Sequence, residues 1–426
     1  MEPVMNRMRL PGDEDPFHSP IDAALAEVAV NLQLPPGLHS QVGDRYEAVR
    51  RYAEREGSPL HGRIVRFYPQ GSMAIDATIS TRGTDEEYDL DIVAELDLDA
   101  WADPDAVLDL LYEALKDYPV SRKVERQTRC VTIRYADGMH LDVTPAVRFA
   151  STPDRESQIF HANPDKPSSE HYHVRMNAYG FAEWYRGRTP IELRFAKEFS
   201  RRFYDAHGLS LQADAEFDEI PGQTPLVVKN TATVALQLLK RHRNVAYANA
   251  TGRIPPSIML SCFAGHSAGG ASTLSDMVIR QARMTAEAIR RADDRGERVS
   301  VTNPALHTEC FTDRWPENLA QQREYAGMLT RLANDLTRLK TAEIDQEDLA
   351  EWLRDRFGQR VVERSMRNLN DRRGRAIQAA SQSYTPKGGI YVPSTPRLVG
   401  VGVGAAAAVS APALTRPHTF MGGRKR

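Results

Sequence analysis

At 426 residues the chain exceeds what one hydrophobic core usually supports, so two packed lobes with flanking tails are expected. Its 41% hydrophobic and 26% charged residues are those of an ordinary soluble protein, which sets aside fibrous and intrinsically disordered classes. A formal net charge of -2 gives no global attraction to nucleic acid, so such affinity would need a local patch.

Residues 1 to 20 are acidic and proline-punctuated without an apolar run, which predicts a disordered N-terminus and no secretory signal. From about 38 to 56, Val42, Tyr46 and Val49 recur at helical intervals and the pattern stops at Gly57, predicting an amphipathic helix. Between about 60 and 150 short apolar runs alternate with turn residues: RIVRFYP, YDLDIVAEL and CVTIRYADGMHLDVTPAV. Asp137-Gly138 between two alternating runs signals a hairpin, and a helix is expected at about 104 to 117. A mixed sheet flanked by helices follows.

After about 190 the strand signals fade. Val228, Ala232, Ala235 and Leu239 line one face of a spine helix. Further helices are expected at 270 to 292, at 317 to 340, and at 346 to 368 behind Asp345 as a cap. Residues 375 to 426 read as a flexible tail, and no run reaches the roughly 18 apolar residues of a membrane span. The domains are therefore 1–20 as the N-terminal tail, 21–190 as a sheet-bearing lobe, 191–374 as a helical lobe and 375–426 as the C-terminal tail. The class is α+β. Cys130, Cys262 and Cys310 lie far apart with no metal-ligand spacing, which argues against disulfides and zinc and fits a reducing cytoplasm.

Phosphoryl transfer to a hydroxyl needs hard cations to neutralise a triphosphate and align the reacting oxygens, and such cations take carboxylate oxygens. YDLDIV supplies two: in a strand Asp89 and Asp91 share one face while Leu90 and Ile92 point to the core. In HLDVTPAV, Leu141 and Val143 point inward and leave Asp142 on the other face of a neighbouring strand. A lone Asp-x-Asp is usually a solvated strand face. Upstream, however, FYPQGSM offers Gly71, which lets backbone approach a phosphate, and Ser72, with a hydroxyl and an amide at the start of a helix. The order Gly-Ser, Asp-x-Asp, Asp is the informative feature.

This order resembles the polymerase-β-like nucleotidyltransferases, and in detail the cGAS/DncV-like nucleotidyltransferases (CD-NTases) of bacterial CBASS anti-phage systems. The similarity rests on the long gap from Ser72 to Asp89, DVTPAV, NAYGFAEWYRGR at 177 to 188, VALQLLKRHRN at 234 to 244, PPSIMLSCFAG at 255 to 265, and TNP with FTDRW at 302 to 315. It spans roughly residues 38 to 370. The resemblance implies a polymerase-β-like catalytic lobe and a helical lobe of the oligoadenylate-synthase type. It makes Asp89, Asp91 and Asp142 the catalytic metal ligands for two Mg2+, with Mn2+ as substitute. Gly71 and Ser72 become the turn on the donor triphosphate, and Lys240 and Ser257 further triphosphate contacts. The residues alone also allow Lys240 to snorkel from the edge of its stripe and Ser257 to cap the helix after Pro256. Ile258 stands where some relatives carry a base-stacking aromatic.

Other features read more simply. Arg122, Lys123, Arg126 and Arg129 are expected on a solvated strand edge, His171 and His173 lack a third metal ligand, and Trp184 and Trp315 belong to a core. Some family members are conjugated through their C-terminus. This chain ends Arg424-Lys425-Arg426 after Gly422-Gly423, so conjugation requires trimming, and a plain tail dispensable for nucleotide chemistry is expected. The expected function is synthesis of a cyclic di- or trinucleotide second messenger from ATP, GTP or other nucleoside triphosphates, with Asp142 as base or activator of the attacking hydroxyl. Regulatory or conjugating proteins of the defence system are the expected partners, with no membrane and no nucleic-acid platform. The alternatives are a linear-oligonucleotide or RNA tail-adding transferase and a non-catalytic nucleotide-binding scaffold.

Overall fold

The computed structural model describes residues 16–17, 19–80, 88–149, 155–208, 228–270, 273–341, 345–378, 383–384 and 390–391. Of residues 36–40, 88–89, 376–377, 383–384 and 390–391 it describes the backbone alone. Helices α1 (Pro20–Asn31) and α2 (Pro36–Ala53) precede β1 (Ile64–Pro69), the single turn α3 (Gly71–Ala74) and β2 (Tyr88–Leu96). Then come α4 (Pro104–Leu115), β3 (Lys123–Arg126), β4 (Val131–Arg134), β5 (Met139–Arg148), β6 (Ser157–His161) and β7 (Tyr172–Met176). The rest is mainly helical: α5 (Ala178–Arg188), α6 (Leu193–Ala206), α7 (Thr231–Ala246), α8 (Ser257–Ser267) and α9 (Leu274–Asp293), the small strands β8 (Thr302–Asn303) and β9 (Leu306–Cys310), then α10 (Leu319–Leu339), α11 (Gln346–Phe357) and α12 (Gln359–Gln378).

The sheet runs β1-β2-β5-β4-β3, with β6 on the far half of β5 and β7 beyond it. Among the described strands only β2 and β5 pair in parallel, because the chain crosses over through α4 between them, and the sheet is therefore mixed. Leu90, Ile92, Leu141 and Val143 bury one sheet face against Val107, Leu108 and Leu111 of α4 and Val49 of α2. The turn at Gly138 adopts φ +83°, the conformation the Asp-Gly pair predicted.

The lobes are not consecutive in sequence. α1, residues 74–79 and α5 all join the helical core, so a boundary at 190 separates them from the core they build. Phe17, expected in a disordered tail, is buried against Phe195 with Arg202 over its ring, and Ser19 caps α1 through a bond from the Asp22 amide. The spine helix begins at Thr231, after Val228, with the Asn230 side chain accepting from the Thr233 amide. Residues 231–243 of this helix are buried, so it is enclosed on every side and not striped. The helix expected at 346 to 368 is two: Gly358 takes φ +89° between α11 and α12, and α12 continues to Gln378. Two short paired strands, β10 (Ser383–Tyr384) and β11 (Ile390–Tyr391), fall within the expected plain tail, whose first residues, 375–378, belong to α12; its remainder, including Gly422, Gly423 and the basic end, lies outside the described residues.

α1 is held by ions as well as by apolar contact. Glu27 Oε1, buried, accepts from Arg202 Nη1 of α6 at 2.8 Å and from Arg372 Nε of α12 at 2.7 Å. Arg372 also pairs with Asp205 and donates to the Arg202 carbonyl at 2.6 Å. One carboxylate thus joins the first, sixth and last helices.

Candidate nucleotidyltransfer site

Period-two alternation and the parallel register decide the centre of the site. Asp91 pairs with Asp142, Asp89 with His140, and Leu90 with Leu141 across β2 and β5. With the leucines in the core, Asp91 and Asp142 stand side by side on the opposite face. Asp89 is placed at the adjoining position of the same edge by its backbone; its side chain lies outside the described residues.

Gly71 reaches this edge from the other direction. The Gln70 amide donates to the Asp91 carbonyl at 2.8 Å, and Gly71 takes φ +58°. A Cβ on Gly71 would lie 2.5 Å from Asp91 Oδ2, so only glycine leaves room beside that oxygen. We expect Gly71→Ala to push the Asp91 carboxylate aside and lose most product formation, at a cost in stability of only about 1 kcal/mol of backbone strain. Product yield measured beside melting temperature checks this, and parental yield would show that the space is not needed.

Asp142 is partly buried. Burial raises its carboxyl above the ordinary carboxylate range, and the hydrogen bond from Thr132 Oγ1 to Oδ1 at 2.6 Å opposes the rise. Burial, with Asp142 and Asp91 adding to it, pushes the nearby Cys130 thiol well above its usual value. Hard carboxylate oxygens aligned in register, and a glycine-sized space beside one of them, suit a divalent cation such as magnesium. Among the described residues no group of three or more His, Cys, Asp or Glu side chains could hold a metal ion.

The loop behind Ser72 hangs from the helical lobe. Its carbonyls accept from four side chains: Ala74 from Arg186 at 2.6 Å, Asp76 from Lys229, Ala77 from Lys240 at 2.9 Å, and Thr78 from Gln237 at 2.7 Å. Within the loop, the Ser72 hydroxyl lies 3.3 Å from that of Thr78, and the Ser72 carbonyl accepts from the Ala77 amide at 2.8 Å. Lys240 is buried and reaches the loop carrying Gly71 and Ser72 through its backbone. Lys229 makes the parallel contact, and burial lowers its ammonium to about 8. Ser257 is the first residue of α8, and its hydroxyl accepts from Arg243 at 2.6 Å without capping the helix. Ile258 is partly buried against the helical core.

The remaining candidates have ordinary partners. Arg126 pairs with Asp105 and Asp109 of α4, Lys123 with Glu125, and Arg129 crosses to Asp313 of the helical lobe at 2.7 Å. His171 and His173 each place Nε2 against a carbonyl, of Asn163 and Ala102 respectively. Trp315 is buried and Trp184 packs on the helical core. Thr132, Arg186, Lys229 and Gln237 had no role assigned from the sequence; of these only Thr132 carried a signal, as the residue of β4 that pairs directly with Asp142.

A family model described as Second Messenger Oligonucleotide or Dinucleotide Synthetase domain matches residues 20–171. The cyclic dinucleotide synthase CdnG of Bradyrhizobium diazoefficiens is 54% identical over 412 residues, 97% of each chain. A match of that length cannot lie within residues 38 to 370, so the similarity extends beyond the span its motifs marked. The c-di-GMP synthase of Roseivirga ehrenbergii is 24% identical over 373 residues, 84% of this chain and 90% of that one. Among solved structures, the B. diazoefficiens CD-NTase CdnG in complex with GTP matches with TM-score 0.75 at 55% identity, covering 83% of this chain and 99% of that one. The α+β fold, the aligned aspartates and a relative more than half identical along nearly the whole chain lead to one conclusion: this protein belongs to the CD-NTases, the polymerase-β-like nucleotidyltransferases that include the cyclic dinucleotide synthases.

Proposed function

We propose that this enzyme joins two nucleoside triphosphates, GTP among them, into a cyclic dinucleotide second messenger of anti-phage defence. The observation that carries the reading is the register of Asp91 with Asp142 beneath Gly71, in a chain 54% identical to a cyclic dinucleotide synthase. GTP enters because the related CdnG is known in complex with it. Enzymes of the family use divalent metal ions. Here Asp89, Asp91 and Asp142 would hold them, most naturally magnesium with manganese as substitute, and they would supply neutralisation of the triphosphate and alignment of the attacking hydroxyl.

The chain's own residues do the rest. Gly71 and Ser72 receive the donor phosphates on a loop whose shape is set by Arg186, Lys229, Gln237 and Lys240. Asp142, with its carboxyl raised by burial, orients the acceptor hydroxyl and takes its proton. On β3, Lys123 pairs with Glu125 and Arg126 with Asp105 and Asp109, which supports the reading against RNA tail addition. Among the described residues no helix is long and apolar enough to cross a membrane.

Incubation with four labelled triphosphates and Mg2+ or Mn2+, then phosphatase treatment and chromatography, tests the reading. A phosphatase-resistant product containing guanosine is expected. Products fully digested by phosphatase, or label added to RNA, would replace it with the linear transferase.

A further inference from the structure

Thr132 and Asp142 occupy directly paired positions of the antiparallel β4–β5 ladder. Thr132 is buried, and its hydroxyl donates to Asp142 Oδ1 at 2.6 Å, the length of a charge-assisted O–H···O⁻ bond. A carboxylate turns about its Cβ–Cγ bond unless something fixes one oxygen. The strand pair does this here, because β-branched Thr132 has little rotamer freedom of its own.

We propose that Thr132 is a positioning residue for the cation site: its hydroxyl occupies Asp142 Oδ1, fixes the carboxylate plane and presents the other oxygen to the metal. The proposal rests on the reading of Asp142 as a cation ligand. Hydrogen-bond partners of ligating groups typically govern about 10–100-fold in metal affinity or activity, and that is the effect assigned to this hydroxyl. Thr132→Val keeps the branched shape and the strand preference while removing the donor. Thr132→Ala removes it by a second route, and Thr132→Ser keeps it.

The test is binding of Mn2+ alone to the full-length chain, followed by the electron paramagnetic resonance of the free ion, for the parent, these three variants and Asp142→Asn. Thr132→Val and Thr132→Ala are expected to weaken Mn2+ binding by about 10–100-fold, with Thr132→Ser close to the parent and Asp142→Asn at least as weak as Val. In turnover the same pair should need more metal for half-maximal rate while recovering kcat at saturating metal, a split that a folding defect would not give. If Val and Ala bind Mn2+ as the parent does while Asp142→Asn does not, the assignment of Thr132 falls and the site stands. The assignment also falls if Ser is as weak as Val. If Asp142→Asn binds like the parent, the cation site itself is overturned.

Discussion

Asp89→Asn combined with Asp91→Asn is expected to abolish all product and leave a folded chain. The amide keeps the size of the carboxylate and removes its charge, and a magnesium ion bound by few protein groups cannot lose two anionic ligands. The loss falls on the chemical step. Metal assistance supplies several kcal/mol of transition-state stabilisation, so the rate should fall roughly a thousandfold or more. The fold should hardly notice, because Leu90 and Ile92 on the other face carry the packing of β2. Clustered carboxylates also repel one another when no cation is bound, so melting temperature should stay level or rise. Product yield measured beside melting temperature decides the matter: a folded double variant working near the parental rate would remove these aspartates from the mechanism.

The second large effect is on stability and lies far from the chemistry. Glu27→Ala should destabilise the helical lobe by about 3–5 kcal/mol, since it leaves two buried guanidinium groups without their shared carboxylate. Arg202 is fully enclosed and Arg372 nearly so, so water cannot replace Glu27 Oε1 at either. Glu27→Gln, which keeps an acceptor but no charge, should fall between parent and alanine. Thermal unfolding of the three proteins is the measurement, and an alanine variant melting with the parent would show that the network contributes little. The same network explains why α12 belongs to the folded body: Arg372, beyond residue 370, is among the most enclosed side chains of the described residues.

Much of the candidate site's edge was legible in the sequence because it is written in local periods. Alternation in YDLDIV and HLDVTPAV put Leu90, Ile92, Leu141 and Val143 inward and Asp91 and Asp142 outward, and the ladder has those six so. Asp137-Gly138 gave its hairpin, whereas Gly71, marked for the approach of a phosphate, is the residue whose missing Cβ leaves room for Asp91 Oδ2. What periodicity does not carry is which distant element meets which. That β2 and β5 pair in parallel, bringing Asp91 level with Asp142, is a matter of crossover and register between strands about fifty residues apart. Lys240 read as a stripe-edge lysine or a phosphate contact, and only the packing of α7 under residues 74–78 placed its ammonium on the Ala77 carbonyl. Glu27 carries no local signal of its role. Its partners stand 175 and 345 residues away, and burial of that carboxylate between two arginines exists only once three helices have closed around it. Local pattern fixes which way a side chain faces; the tertiary structure decides what it meets, because those contacts are made between segments with no sequence period in common.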